Sequence, residues 1–346
     1  MSRGLRRAAV AGGLVVIVAA VVVGAILLIR GDGGRSNRAG NTEANAGSAG
    51  GSQGSDSGPG PGDSAGGTDE DRGARGQGAD DSRGGTGEPV LRDAVVQMGV
   101  VQREYLVLSP SWAEEKRLPL VLALHGMTVD RHAMLAAADW RAAVEERGFV
   151  AVFPQGMGNS WNVGPCCPPA NLLQVDDVAF LDAVIQAVKG ASAIDDRRVF
   201  VTGFSAGALM TYRYACERAD RLAGVAPMAG VNLTGCSPSS PLSLLHQHSD
   251  PDLVVPFDGG LGLGQLVTSE PLPSVDSSVS SWARADGCSD PLGWEPLSAG
   301  VDRRVWPNCA SGTRVELVRL SGLGHEWPRT SDYDGLATML DFFGIN

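Results

Sequence analysis

Histidine is scarce: the 346 residues hold five. Any imidazole chemistry must therefore come from His125, His132, His246, His248 or His325. Basic residues are also in deficit, 28 Lys and Arg against 39 Asp and Glu, a net charge of −11. The acidic excess falls mainly on residues 89–346, which argues against nucleic acid or anionic membrane surfaces as partners. No cysteine precedes Cys166, so the N-terminus offers no lipid-attachment thiol. None of the six cysteines has Cys-x-x-Cys spacing, so neither a structural zinc site nor another metal centre is expected. Large apolar residues are nearly missing from Gly31 to Glu88. Such a stretch cannot bury enough surface to offset its ordering entropy, and it reads as a disordered Gly/Ser/Asp-rich linker with a mean span of roughly 40 Å.

The chain thus divides into residues 1–30, 31–88 and 89–346. In the first part Arg3, Arg6 and Arg7 precede an uncharged, almost wholly apolar run from Ala8 to Ile29, closed by Arg30. The run is long enough to cross a bilayer as a helix, and the preceding arginines place the rest of the chain outside the cytoplasm. An uncleaved membrane anchor is the reading adopted; secretion after cleavage of a signal peptide is the alternative. The third part is large enough for one sizeable core. It carries all six cysteines, an even number that suggests disulfides in an oxidising compartment. Cys288–Cys309 is the favoured pair, since both flank one excursion late in the chain. Cys216 and Cys236 can pair with each other or with the Cys166-Cys167 doublet.

Residues 89–346 alternate short apolar runs with helical patterns. Strands are expected at Arg103–Leu108, Leu118–Leu124, Phe149–Phe153, Arg198–Thr202, Leu222–Pro227, Leu242–His246 and Val315–Leu320. Helices are expected near Ala133–Arg147 with Gly148 as C-cap, over Asp177–Lys189 ended by Gly190, over Ala206–Arg218, and near Ser274–Ala285 and Tyr333–Phe343. This alternation implies an α/β fold, a mostly parallel sheet with helices on both faces. No long insertion separates the strands near Leu222–Pro227 and Leu242, so no large lid is expected.

One stretch carries chemistry. Val199–Met210 reads VFVTGFSAGALM and centres on Gly203-Phe-Ser205-Ala-Gly207, a G-x-S-x-G. With 47 glycines and many serines, about 0.5 such matches arise by chance, so the match alone decides nothing. Two others, around Ser52 and Ser64, sit in the linker, where no strand or helix can form around them. Ser205 alone has the required context, a strand, a tight turn and a helix, which lifts a serine above the carboxyl edge of a sheet.

A serine hydroxyl needs a base within reach, and the base needs an acid to orient it. On such a sheet the chain order is Ser, then Asp or Glu, then His. Order excludes His125 and His132 as the base. His246 and His248 alternate along a strand end and read as structural. His325, in Ser-Gly-Leu-Gly-His-Glu-Trp-Pro after the last strand, is the expected base. Asp250, Asp252 and Asp258 are candidates for the acid, with Asp252 favoured. Two backbone N–H groups should form the oxyanion hole: Ala206, directly after the serine, and Met127, in the turn after Leu118–Leu124, where Gly126 permits close approach. Asp176-Asp177 reads as a helix cap rather than a carboxylate pair.

The segments LPLVLALHG, GFVAVFPQG, SWNVGPCC, VDDVAFL, VTGFSAGALMTYRYAC, HSDPDLVVPFDG and GLGHEWP together resemble the esterase family that groups poly(3-hydroxybutyrate) depolymerase-like proteins with feruloyl and acetylxylan esterases. The resemblance spans about Arg103 to Pro328. It implies an α/β-hydrolase fold and a serine esterase without a cofactor, acting on polyester, feruloyl or acetyl esters. The family's H-G-T-x-D-x-V-V-P-Y-D-G falls without a gap on His248–Gly259, which assigns the acid to Asp252. This chain departs from it at Ser249-Asp250-Pro251, and has Cys167-Pro168 where Cys-Gly is common. Trp161-Asn162 and the cysteine doublet resemble the family's loop near the substrate cleft, where Trp161 forms an aromatic wall for an acyl group or else packs under the loop; the loops around Trp161 and Glu326-Trp327 are the candidates for choosing the substrate. An envelope acyltransferase, a non-catalytic envelope-binding protein and, more weakly, a peptidase stay open as alternatives.

Overall fold

The computed structural model describes residues 87–346 except 114–115, 267 and 269–270. The Ala8–Ile29 run, nearly all of the 31–88 linker, Ser52 and Ser64 lie outside the described residues. No described helix is long and apolar enough to cross a membrane.

Among the described residues ten strands form one sheet: β1 (Val90–Met98), β2 (Val101–Ser109), β3 (Leu118–Leu124), β4 (Val150–Pro154), β5 (Ile194–Phe204), β6 (Gly224–Met228), β7 (Ser243–Ser249), β8 (Glu295–Ser298), β9 (Val301–Trp306) and β10 (Val315–Leu320). Their order is β1-β2-β4-β3-β5-β6-β7-β10-β9-β8. The block from β4 to β10 is parallel. An antiparallel pair extends it on each side, β1-β2 beside β4 and β9-β8 beside β10.

The helices are α1 (Arg131–Ala136), α2 (Trp140–Arg147), α3 (Asp177–Ala191), α4 (Ala206–Arg218), α5 (Val275–Ala285) and α6 (Gly335–Phe342). They cover both faces, as the unbroken apolar strands require. Along β3, Leu118, Leu120, Leu122 and Leu124 join one core with α3, α4 and α5, among them Phe180, Leu181, Met210 and Trp282. Val121 and Ala123 point the other way, into a second core with Trp140 and Val144 of α2 and Leu336, Met339 and Leu340 of α6. All seven residues of β3 are buried.

Several elements differ from expectation. The helix expected over 133–147 is two helices, α1 and α2, because the chain leaves helical geometry at Asp139. The turn lets Met134 and Trp140 both enter the second core. Gly148, with φ 67°, caps α2 as expected. Gly190 does not end α3, which continues to Ala191 with Ser192 as its cap. Strands β1, β8 and β9 have no counterpart among the expected elements. Apart from Val301 and Trp306 at the ends of β9, their residues are exposed or half-exposed and give no long apolar run. The β8 strand is four residues long, contains Pro296, and slips register against β9.

Three disulfides close: Cys166–Cys167, Cys216–Cys236 and Cys288–Cys309. The second ties α4 to the β6–β7 connection at 229–242, which carries no helix or strand.

Candidate active site

Three parallel strands deliver three side chains to the carboxyl edge of the sheet. β5 ends at Phe204 and passes through Ser205 directly into α4. Ser205 takes φ 56° and ψ −119°, a backbone conformation a non-glycine residue rarely adopts. The turn is held by Ser205 N–H donating to Met228 O of β6 (2.9 Å). Its two flanking glycines are steric requirements. A Cβ on Gly203 would lie 2.3 Å from Gly207 O, and one on Gly207 would lie 2.2 Å from Leu124 O.

β7 ends at Ser249 and turns through Asp250-Pro251 to Asp252. The Asp252 side chain is fully buried. Its Oδ1 accepts from Val254 N (2.8 Å) and Val255 N (2.9 Å). Its Oδ2 lies 2.7 Å from His325 Nδ1, and His325 Nε2 lies 2.8 Å from Ser205 Oγ. A carboxylate only accepts, so Nδ1 carries the imidazole proton and Nε2 is left to accept from the serine hydroxyl. Burial pushes the Asp252 pKa up, but hydrogen bonds from His248, His325 and the backbone outweigh it and hold the carboxyl well below the usual range. The other candidates stand apart. Asp250 is exposed and accepts from Ser321 Oγ (3.1 Å), and Asp258 is exposed.

The segment expected to supply the second oxyanion donor lies beside the serine. A Cβ on Gly126 would sit 3.5 Å from Ser205 Cβ. Neither Met127 N–H nor Ala206 N–H finds an acceptor among the described residues. His125, excluded as a base by chain order, anchors this segment. Gly156 N–H donates to its Nε2 (2.9 Å), so Nδ1 holds the proton and donates to Gly126 O (2.7 Å). Burial pushes the His125 pKa down to about 4, which keeps the ring neutral. Thr128 N–H, from a residue at φ 70°, donates to Asn159 O (2.9 Å).

Two expectations need correction. Trp161 is fully buried, its Nε1–H donating to His125 O (2.8 Å) and its ring 4.9 Å from that of His125. It packs beneath the loop and offers no wall to a substrate, because an indole N–H buried this deeply takes the nearest carbonyl. Asp177 does not serve as a cap; Asp176 does, accepting from Ala179 N (2.9 Å). The Asp177 carboxylate is buried on Arg103 Nη2 (2.8 Å) and Asn162 N (2.7 Å), and so fixes the loop around Trp161. No acidic, histidine or cysteine cluster fit for a metal occurs among the described residues.

Trp327 is half-buried, its ring 6.1 Å from Trp140 and 6.5 Å from Phe204. Phe204, which only its place between Gly203 and Ser205 could have marked, lies 5.0 Å from the His325 ring. His246 and His248 do not alternate. Two residues apart on one strand, they share a face and are both buried.

No family model matches the chain. Feruloyl esterase B of Piromyces equi is 29% identical over 238 residues, 64% of this chain, but the chain spans only 42% of that protein's length. The probable feruloyl esterase C of Aspergillus oryzae is 30% identical over 231 residues, 62% of this chain and 81% of the relative. Among solved structures, an acetyl xylan esterase from Aspergillus awamori superposes with a TM-score of 0.56 at 15% identity, over 74% of this chain and 100% of that one. That likeness shows the fold, an α/β-hydrolase. On the sequence identity that runs through four fifths of the Aspergillus oryzae protein, this chain belongs to the feruloyl esterase family of carboxylic ester hydrolases.

Proposed function

We propose that the chain is an extracytoplasmic serine esterase that hydrolyses feruloyl or acetyl esters through Ser205, His325 and Asp252. The observation that carries this reading is the continuous hydrogen-bonded line from Ser205 Oγ through His325 to Asp252 Oδ2, with the serine on a strained elbow. Ser205 Oγ attacks the ester carbonyl as His325 Nε2 takes its proton. The carbonyl oxygen, now an anion, accepts from Met127 N–H and Ala206 N–H at the start of α4. His325 returns the proton to the leaving alcohol, and the acyl-enzyme remains. Water, deprotonated by the same Nε2, then releases the acid and restores Ser205. Asp252 keeps the imidazole in the tautomer each step needs and stabilises its cationic form. Phe204 beside His325, with Trp327 packed on Phe204, offers aromatic surface suited to an aromatic acyl group.

Three disulfides support an oxidising compartment. The tether in this reading is the Ala8–Ile29 run, followed by the polar linker. The test uses the full chain. Initial rates are measured on methyl ferulate, an aryl acetate and a soluble 3-hydroxybutyrate oligomer, with Ser205→Ala as the blank. Turnover of ferulate or acetate that vanishes in Ser205→Ala is expected. Turnover of the oligomer alone, or an undiminished rate in Ser205→Ala, would overturn the proposal.

A further inference from the structure

A second buried chain of hydrogen bonds ends at the Val255 carbonyl, beside Asp252, and the proposed reaction does not use it. β7 closes as Leu-Leu-His246-Gln-His248-Ser. The two imidazoles stack on one face of the strand, with centroids 5.4 Å apart and planes at 9°. Tyr212 of α4 covers His246 from the adjoining core, and Tyr212, His246 and His248 are each at most 1% exposed. Tyr212 Oη lies 2.8 Å from His246 Nδ1. His246 Nε2 lies 3.1 Å from His248 Nδ1. His248 Nε2 lies 2.8 Å from Val255 O and 3.5 Å from Asp252 Oδ2.

Donor and acceptor chemistry leaves one arrangement of protons. A carbonyl oxygen only accepts, so His248 carries its proton on Nε2. Its Nδ1 is then an acceptor and requires the proton of His246 on Nε2. His246 Nδ1 is in turn an acceptor and takes the Tyr212 hydroxyl proton. In this arrangement every ring nitrogen of His246 and His248 has its partner. Burial, with His248 alongside, holds the imidazolium form of His246 far out of reach. All three donors point the same way, toward the carboxylate.

That direction matters because of what Val255 does. Its N–H donates to Asp252 Oδ1, while its carbonyl accepts from His248. Leu263 N–H and Gly264 N–H hold the carbonyls of Leu253 (2.9 Å) and Val254 (2.8 Å) from outside, and His248 holds the carbonyl of Val255 from the core side. We propose that His248, oriented by His246 and Tyr212, is a positioning residue that clamps the Val255 peptide and faces Oδ2, and so fixes the plane in which Asp252 meets His325. This rests on the triad reading. A displacement of that plane by a fraction of an ångström misaligns His325 against Ser205, and errors of this kind lower turnover without touching substrate affinity.

The test is a double-mutant cycle on the full chain with an aryl acetate. His248→Leu is expected to lower kcat at least about tenfold with KM unchanged, and His248→Gln, which keeps a terminal N–H donor, to recover most of the loss. Tyr212→Phe retains the ring and its packing, and is expected to lower kcat a few-fold in the parent and not at all in the His248→Leu background. Thermal melts accompany each variant. Full kcat in His248→Leu, equal effects of Tyr212→Phe in both backgrounds, or a loss in KM rather than kcat would each overturn the proposal. Should His248→Leu fail to fold, unchanged kcat in folded Tyr212→Phe overturns it, and a lowered kcat at unchanged KM supports it. Asp252→Asn separates this failure from that of the triad: if it abolishes turnover while His248→Leu is silent, the triad stands and only the clamp falls.

Discussion

Replacing Asp252 by asparagine changes one atom, and the structure limits what that atom can do. In one orientation the amide oxygen keeps the two bonds from Val254 N and Val255 N. The amide NH₂ then faces His325 Nδ1, which can only be satisfied by accepting. The imidazole proton moves to Nε2, which now points a donor at Ser205 Oγ, and the base is lost. In the flipped orientation the oxygen faces Nδ1–H and the base survives. The NH₂ then confronts two backbone donors in a buried site. Leaving each unsatisfied costs about 1–3 kcal/mol, so the flip costs about 2–6 kcal/mol. Only the flipped fraction is competent, which places the loss of kcat between about 30-fold and about 2 × 10⁴-fold, since about 1.4 kcal/mol is a factor of ten. The upper value is of the size known for a triad imidazole forced into the wrong tautomer. The assay is steady-state hydrolysis of an aryl acetate at about pH 7.5, above the ordinary histidine range, with Asp250→Asn alongside. Asp250 is exposed, and among the described residues its side chain bonds Ser321 alone, so its variant should turn over at the parent rate. An Asp252→Asn enzyme within a factor of five of the parent, or a larger loss in Asp250→Asn, would refute the reasoning.

Two further outcomes are expected. Gly207→Ala places a methyl 2.2 Å from Leu124 O, a backbone atom that cannot step aside unless α4 or the end of β3 moves. Because Leu124 leads through His125 into Gly126-Met127, both stability (by about 3 kcal/mol or more) and kcat (by about 10²-fold) should fall, read by denaturant melts and initial rates. An unchanged melt would rule out this clash between α4 and β3. The second concerns Asp286, a buried carboxyl whose oxygens both accept from Leu242 N (3.1 Å). Burial raises its pKa from 3.8 to about 6. Between those values the folded protein holds a proton that the unfolded chain has released, so this group removes stability as pH rises from about 4 to about 6, by at most about 3 kcal/mol in all. Asp286→Asn should therefore stabilise the protein at pH 7 and leave it little changed at pH 4. His125 acts oppositely in the same window, so the variant-minus-parent difference is the quantity to measure; a difference independent of pH would exclude the assignment.

The candidate site was legible because it is punctuated. Ser205 sits in a glycine-flanked turn between a β-branched, mainly apolar strand end and a helix, and His325 follows the last strand. Strands β3 and β10 were readable at their full length because burial on both faces leaves little polar interruption. What escaped depended on neighbours remote in sequence. Val301–Trp306 contains Asp302, Arg303 and Arg304, and becomes a strand only because β10 offers it a ladder. The histidines of β7 gave no hint of a shared direction, since that direction comes from a tyrosine on α4 and a carbonyl at Val255. Trp161 resembled a cleft residue by its position near the doublet. Its burial follows from an indole bond to His125 O that no local pattern encodes. Chain order excludes His125 as a base, and its part in anchoring Gly126 is visible only when Gly156 is brought beside it.

The sheet also has to end somewhere. An edge strand is an unpaired ladder that a foreign chain can copy, and a ten-stranded sheet concentrates that hazard at its two sides. On one side the last strand is β8, four residues long, with a proline that has no N–H to offer and a register slip against β9. A foreign strand finds almost nothing there to extend. On the other side β1 is nine residues long, and Arg92, Asp93 and Gln97 are spaced along it. Any strand laid against it must accommodate opposite charges at adjacent positions. The sheet therefore stops by brevity on one side and by charge on the other. In the extracytoplasmic setting proposed above, where no cytoplasmic chaperone attends it, the chain can stay unaggregated on that account.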